Sequence, residues 1–130
     1  MYSVHGLPSS YAELDRYALG KSKRLAHRTW VVPYGDRYAI RYIGSTIAVF
    51  KADGATLYTL SGWDTVTTRL RINGLMGDRG SLYRHRGVTY LRYWSGGDIE
   101  RIPVLAYATI LFNDTGRFVG FSSYGQMADW

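Results

Sequence analysis

The chain contains no cysteine, only three prolines, and ten acidic residues against sixteen basic ones. The missing cysteine excludes a disulfide framework, thiolate metal sites and cysteine nucleophiles together. It also fits a reducing cytoplasm. The opening Met1-Tyr2-Ser3-Val4-His5-Gly6 lacks the basic-then-apolar order of a secretory signal. No apolar run approaches the roughly 20 residues that span a bilayer, and the longest, Ile102 to Phe112, reads as buried strand. The expectation is a cytoplasmic protein with no membrane partner.

What is present points to one globular unit. A length of 130 residues with 46% hydrophobic content suits a single domain, 1–130, with one core. The net charge is +6, thirteen of the sixteen basic residues are arginine, and 12 tyrosines and 4 tryptophans accompany them. Arginine offers a planar fork to phosphates and carboxylates and stacks on aromatic faces. Such a surface suits nucleic acid, and equally an acidic protein.

Ser10-Tyr11-Ala12-Glu13 has the form of a capping box. With Pro8 before it and Gly20 after it, a helix is expected over Tyr11–Leu19, with Tyr11, Leu14 and Ala18 inward. Lys21-Ser22-Lys23-Arg24 reads as a basic linker. Beyond it come short strands: Thr29–Val32, then Pro33-Tyr34-Gly35-Asp36 as a turn, then 37–43, where Tyr38, Ile40 and Tyr42 alternate with Arg37, Ala39 and Arg41. Thr46–Lys51 and Ala55–Leu60 flank Asp53-Gly54, a hairpin turn. Asp64 or Thr65 can cap a second helix ending near Ile72, with Val66, Leu70 and Ile72 as its apolar side and Asn73-Gly74 as its stop.

A second β-rich block follows: 81–85, a turn at Arg86-Gly87, 88–94, a turn at 95–98, and further strand over 99–104 or 104–112. Pro103 marks an edge or a break, Asn113–Gly116 turns again, and 117–121 returns. The tail from Ser122 to Trp130 has no readable period. The expected class is α+β: a small, strongly bent antiparallel β-sheet of meanders, with an N-terminal helix and one short central helix.

The segments Leu19–Thr29, Ile47–Phe50 with Asp53-Gly54, and Gly62-Trp63-Asp64-Thr65-Val66-Thr67-Thr68-Arg69-Leu70-Arg71-Ile72-Asn73 resemble a family of small phage and prophage proteins. That family carries Gly-Trp-x-Thr-x-Thr-Thr-x-x-Arg-Ile-Asn after a strand–Asp-Gly–strand hairpin. The likeness covers about residues 19–75, and Arg28 stands where the family commonly has asparagine. It implies a phage-encoded protein in the cytoplasm of an infected bacterial host and brings no established activity. Many small phage proteins bind host machinery stoichiometrically, so host-defence inhibition is one role the resemblance suggests.

Catalytic chemistry has little to stand on. His5, His27 and His85 are far apart and form no metal-ligand spacing. Five aspartates, Asp36, Asp53, Asp78, Asp98 and Asp114, sit at expected turns, where aspartate serves the backbone. No phosphate loop or nucleophile elbow occurs. The reading is therefore a binder without catalytic residues, metal or cofactor.

Three groups of residues could carry binding. Lys21, Lys23, Arg24 and Arg28 form a basic run. Arg84, Arg86 and Arg92 alternate with Tyr83, Tyr90 and Tyr93, a mixture that can follow a phosphate backbone and stack bases; it reads equally as a solvated strand face with core tyrosines. At the second helix start, Thr65, Thr67 and Thr68 form an anion-binding candidate beside Arg69 and Arg71. There Trp63 is expected to plug the core and both arginines to be exposed.

The leading expectation is stoichiometric binding to nucleic acid or a nucleic-acid-containing host complex. One alternative is a protein-only inhibitor or assembly factor on an acidic host or phage protein. Another is a small-ligand sequestering protein or small enzyme using residues 63–71. Exposed sheet edges also leave homo-oligomers open.

Overall fold

The computed structural model describes residues 1–122, so the expected tail over 123–130 lies outside the described residues. Helix α1 spans Tyr11–Ala18, with Ser10 as its cap accepting from the Glu13 amide at 3.2 Å. Leu19 closes it in a left-handed conformation, φ 52°. Leu14 and Ala18 are buried, and Tyr11 lies against the Tyr38 ring at 5.4 Å.

The basic run is not a linker. Lys23–Ala26 forms β1, the edge of a seven-stranded antiparallel sheet. Its neighbours in chain order are β2 (Thr29–Tyr34), β3 (Arg37–Tyr42), β4 (Ser45–Lys51) and β5 (Thr56–Thr59). Pro33 is a strand residue of β2 rather than part of a turn. Tyr38 and Ile40 point into the core as the alternation requires, but Ala39 on the other face is buried as well, beside Val49 and Leu57.

Helix α2 runs Val66–Met76, past the expected stop at Asn73-Gly74. Its buried stripe is Thr68, Arg71, Ile72, Leu75 and Met76, which is helical spacing. Val66, expected inward, is exposed. The Asn73 amide pairs with the Leu82 backbone in both directions, at 2.9 and 2.6 Å. Gly74 lets Leu7 approach so closely that a Cβ would sit 3.3 Å from it. The Asn-Gly pair therefore serves tertiary packing, and the helix ends at Gly77 with φ 59°.

After a 3-10 turn at Gly77–Arg79, β6 (Gly80–His85), β7 (Val88–Ser95) and β8 (Asp98–Pro103) make a separate three-stranded sheet. The chain then returns to the large sheet. β9 (Thr109–Phe112) pairs with β5, and β10 (Phe118–Ser122) forms the far edge. The class is α+β with antiparallel sheets of seven and three strands in linear order, bent around one core cluster that includes Leu14, Tyr58, Ile72, Leu82 and Leu91. Among the described residues no helix is long and apolar enough to cross a membrane.

Candidate nucleic-acid interface

Pairing register sorts the three-stranded sheet into two unlike faces, because directly opposed residues share a face. Leu82, Leu91 and Ile102 are opposed and point toward the core. The other face carries Tyr83 opposite Tyr90, Arg92 opposite Arg101, and Trp94 opposite Ile99. Asp98 and Glu100 alternate with Ile99 and Arg101, so both acids fall on the inner-facing set. The strand positions of the outer face therefore include no carboxylate.

The outer face is organised by its rings. Tyr83 and Tyr90 stack with centroids 5.6 Å apart and planes 22° from parallel. The Arg92 guanidinium lies over Tyr83 at 4.7 Å, and that of Arg101 over Tyr90 at 5.0 Å. Arg101 Nη1 also donates to the Tyr83 hydroxyl at 3.5 Å, and this bond chiefly raises the pKa of Arg101. Cation–π contact fixes each fork while leaving the donors of Arg92, and those of Arg101 other than the one on Tyr83, without a protein partner among the described residues. Trp94 and Ile99 are exposed by 59% and 58%, extending the surface apolarly.

Of the arginine–tyrosine set read from sequence, register brings together Tyr83, Tyr90 and Arg92. Arg84 lies on the opposite face, where it binds the Asp64 carboxylate at 2.9 Å. Arg69 and the Thr89 hydroxyl bind the same carboxylate, which ties the start of α2 to the β6–β7 hairpin. Tyr93 also points inward, packing on Phe118 at 4.6 Å. Arg86 is exposed in the tight turn with φ 51°. Arg101, Trp94 and Ile99 were missed; the alternation along 98–103 carried the signal, but only the register with β7 assigns its face.

The basic run sits on the other sheet. Lys21, Lys23, Arg24 and Arg28 are exposed along and beside the β1 edge. Lys23 caps the Tyr17 ring at 4.0 Å, and Arg24 stands opposite Trp30, which in turn faces Arg41. Arg24, Trp30 and Arg41 thus share one face of the large sheet, and Lys23 lies on the other.

The α2 start departs from expectation in two ways. Trp63 is 63% exposed and plugs no core. Arg71 is 4% exposed, with its fork donating to Thr29 Oγ1, the Thr67 carbonyl and the His27 carbonyl and its plane 4.0 Å from the Tyr42 ring. Arg69 is likewise engaged with Asp64, so neither arginine is free for an anion. Thr65, not Asp64, is the cap; its hydroxyl accepts from the Thr68 amide at 3.2 Å and contacts the Thr67 and Thr68 hydroxyls. Thr65 and Thr67 border a cleft of about 240 Å³ with Tyr42, Ile43, Ser45 and Trp63.

Among the described residues no group of three or more His, Asp or Glu is arranged to hold a metal ion. No family model, curated protein or solved structure matches the chain. The functional reading therefore rests on residues and geometry.

Proposed function

We propose that this protein acts by stoichiometric binding of single-stranded nucleic acid, free or exposed within a host nucleoprotein complex, on the outer face of β6–β8. The observation that carries this reading is the stacked Tyr83–Tyr90 pair held under Arg92 and Arg101 on an open, carboxylate-free sheet face. Aromatic rings on a sheet take up unstacked bases, and arginine forks meet the phosphates between them. A duplex hides its base planes, so a flat aromatic face favours the single strand. The excess charge of +6 would speed encounter with a polyanion. A phage-type accessory role fits such a stoichiometric binder.

Fluorescence anisotropy with labelled single- and double-stranded DNA and RNA, at about 50 and about 200 mM salt, tests this. Single strands are expected to bind more tightly, and the double variant R92A/R101A to lose affinity and flatten the salt dependence. Equal binding of duplex and single strand, or affinity indifferent to R92A/R101A, would overturn the reading.

A second reading, a small uncharged ring held at the α2 start, is favoured by one feature. Trp63 and Ile43 stand 63% and 61% exposed beside the hydroxyl-bordered cleft, and Ile43, although β-branched, is held at φ 47°. That φ comes from the two-residue turn Ile43 shares with Gly44 between Tyr42 and Ser45, which leaves the Ile43 side chain exposed beside the cleft. Native mass spectrometry of the purified protein tests it: retained small-ligand mass, lost in Trp63→Ala, is the expected result.

A further inference from the structure

We infer that the strand-binding face carries a guanine-selective subsite at its Trp94 end, built from Trp94, Ile99, Arg92 and Asp78. This inference rests on the single-strand reading above and gives it a base preference. A hollow of about 410 Å³ lies there, bordered by Asp78, Ser81, Arg92, Trp94, Ile99 and the bare backbone of Gly80. It adjoins the tyrosine pair directly, because Arg92 borders the hollow and also covers the Tyr83 ring.

The hollow supplies three unlike contacts. Trp94 and Ile99, opposed in register, form an exposed apolar wall suited to a base plane. Arg92, exposed, can meet the phosphate of the same nucleotide. Asp78 is exposed and, among the described residues, has neither an ion pair nor a side-chain hydrogen bond, although the chain is strongly basic. It is the one carboxylate bordering an otherwise cationic and aromatic surface.

A carboxylate only accepts hydrogen bonds. Guanine is the base whose pairing edge presents two adjacent donors, N1–H and the N2 amino group, matching the two carboxylate oxygens. Adenine and cytosine set one amino donor beside a ring-nitrogen acceptor, and uracil flanks its single N–H with two carbonyls; each brings a lone pair against the carboxylate. Asp78 would otherwise repel the strand, so only guanine turns its charge to advantage.

The test uses a labelled oligouridylate, the same strand with one central guanosine, and the same strand with inosine there, which lacks the N2 amino group. The guanosine strand is expected to bind at least about fivefold more tightly than the other two. Asp78→Asn should erase that preference while leaving oligouridylate affinity equal or higher. Equal wild-type affinity for the guanosine and inosine strands overturns the subsite and leaves the platform standing. Failure of all three strands and of their deoxy counterparts to bind overturns both, and because the comparison among strands uses unmodified protein it is independent of any variant's folding.

Discussion

Arg71 Nε donates to Thr29 Oγ1 at 2.9 Å, joining the second turn of α2 to the start of β2 across 42 positions of chain. No carboxylate takes part: two carbonyls, a hydroxyl and the Tyr42 ring surround the buried guanidinium. Arg71→Met keeps the length but removes all three donated bonds, although the His27 carbonyl keeps the Thr29 hydroxyl and the Thr67 carbonyl keeps its helical amide. Chemical denaturation is expected to report a loss of about 2–4 kcal/mol, with strand affinity unchanged under conditions where the variant remains folded.

The two faces of the small sheet separate stability from binding. Arg92→Ala with Arg101→Ala should weaken oligonucleotide binding about tenfold or more, since phosphate contacts dominate affinity, while thermal unfolding stays nearly constant. Arg84→Ala should do the reverse. It leaves Asp64 with Arg69 and Thr89, and the half-exposed pair it removes contributes under about 1 kcal/mol. A large affinity loss in Arg84→Ala with none in the double variant would reverse the assignment of faces.

Tyr38 links stability to alkaline pH. Its hydroxyl donates to Asp15 at 2.7 Å and accepts from the Gly20 amide at 2.8 Å, which ties the last turn of α1 to the chain just past its cap. Burial first, then the Asp15 bond, raises its pKa above the ordinary 10.0. The folded state thus holds this proton more tightly than the unfolded chain does. Its contribution is complete below pH about 10 and is lost as pH rises from there through the folded pKa. Urea unfolding between pH about 8 and about 11 should show falling stability. Buried Tyr58, also raised by burial, adds to the slope. Tyr38→Phe should be less stable at neutral pH and have a shallower alkaline slope.

Asn73→Ala removes both bonds to Leu82, a residue only 3% exposed, and leaves its amide and carbonyl without those partners. The expected cost is about 1–3 kcal/mol by chemical denaturation. Asn73→Asp should rescue little, because its side chain cannot donate to the Leu82 carbonyl.

The local code was legible wherever one residue's neighbours decide its conformation. The Ser10–Glu13 capping box, the Asp53-Gly54 turn and the alternation of Tyr38 and Ile40 each led to the observed element. Helix α2 hid its inner face because the buried stripe includes Thr68 and Arg71, so an apolar pattern does not trace it. β1 hid in a run of charge: an edge strand keeps Lys23 and Arg24 in solvent and buries only Leu25 and Ala26. The pairing of β5 with β9 spans the whole small sheet, and nothing local to either strand encodes it.

The candidate site was half legible for the same reason. Tyr83, Tyr90 and Arg92 are alternate residues or direct partners on adjacent strands. Arg84 and Tyr93 have the same chemistry but the opposite phase, and Arg101 joins the face only through the third strand.

That third strand hangs on two glycines at which even an added Cβ would meet nothing within 4 Å. Gly96 and Gly97, at φ 59° and 93°, close the two-residue turn between Ser95 and Asp98. Positive φ at both positions is what a twist-matched hairpin turn demands. If side chains there lengthened the turn by one residue, β8 would slip by one position and every side chain would change sides. Asp98 and Glu100 would then face the tyrosines, and Arg101 would turn toward the interior. The polarity of the whole surface, attractive or repulsive to a polyanion, is thus set by an uncharged pair of glycines acting as a switch of phase.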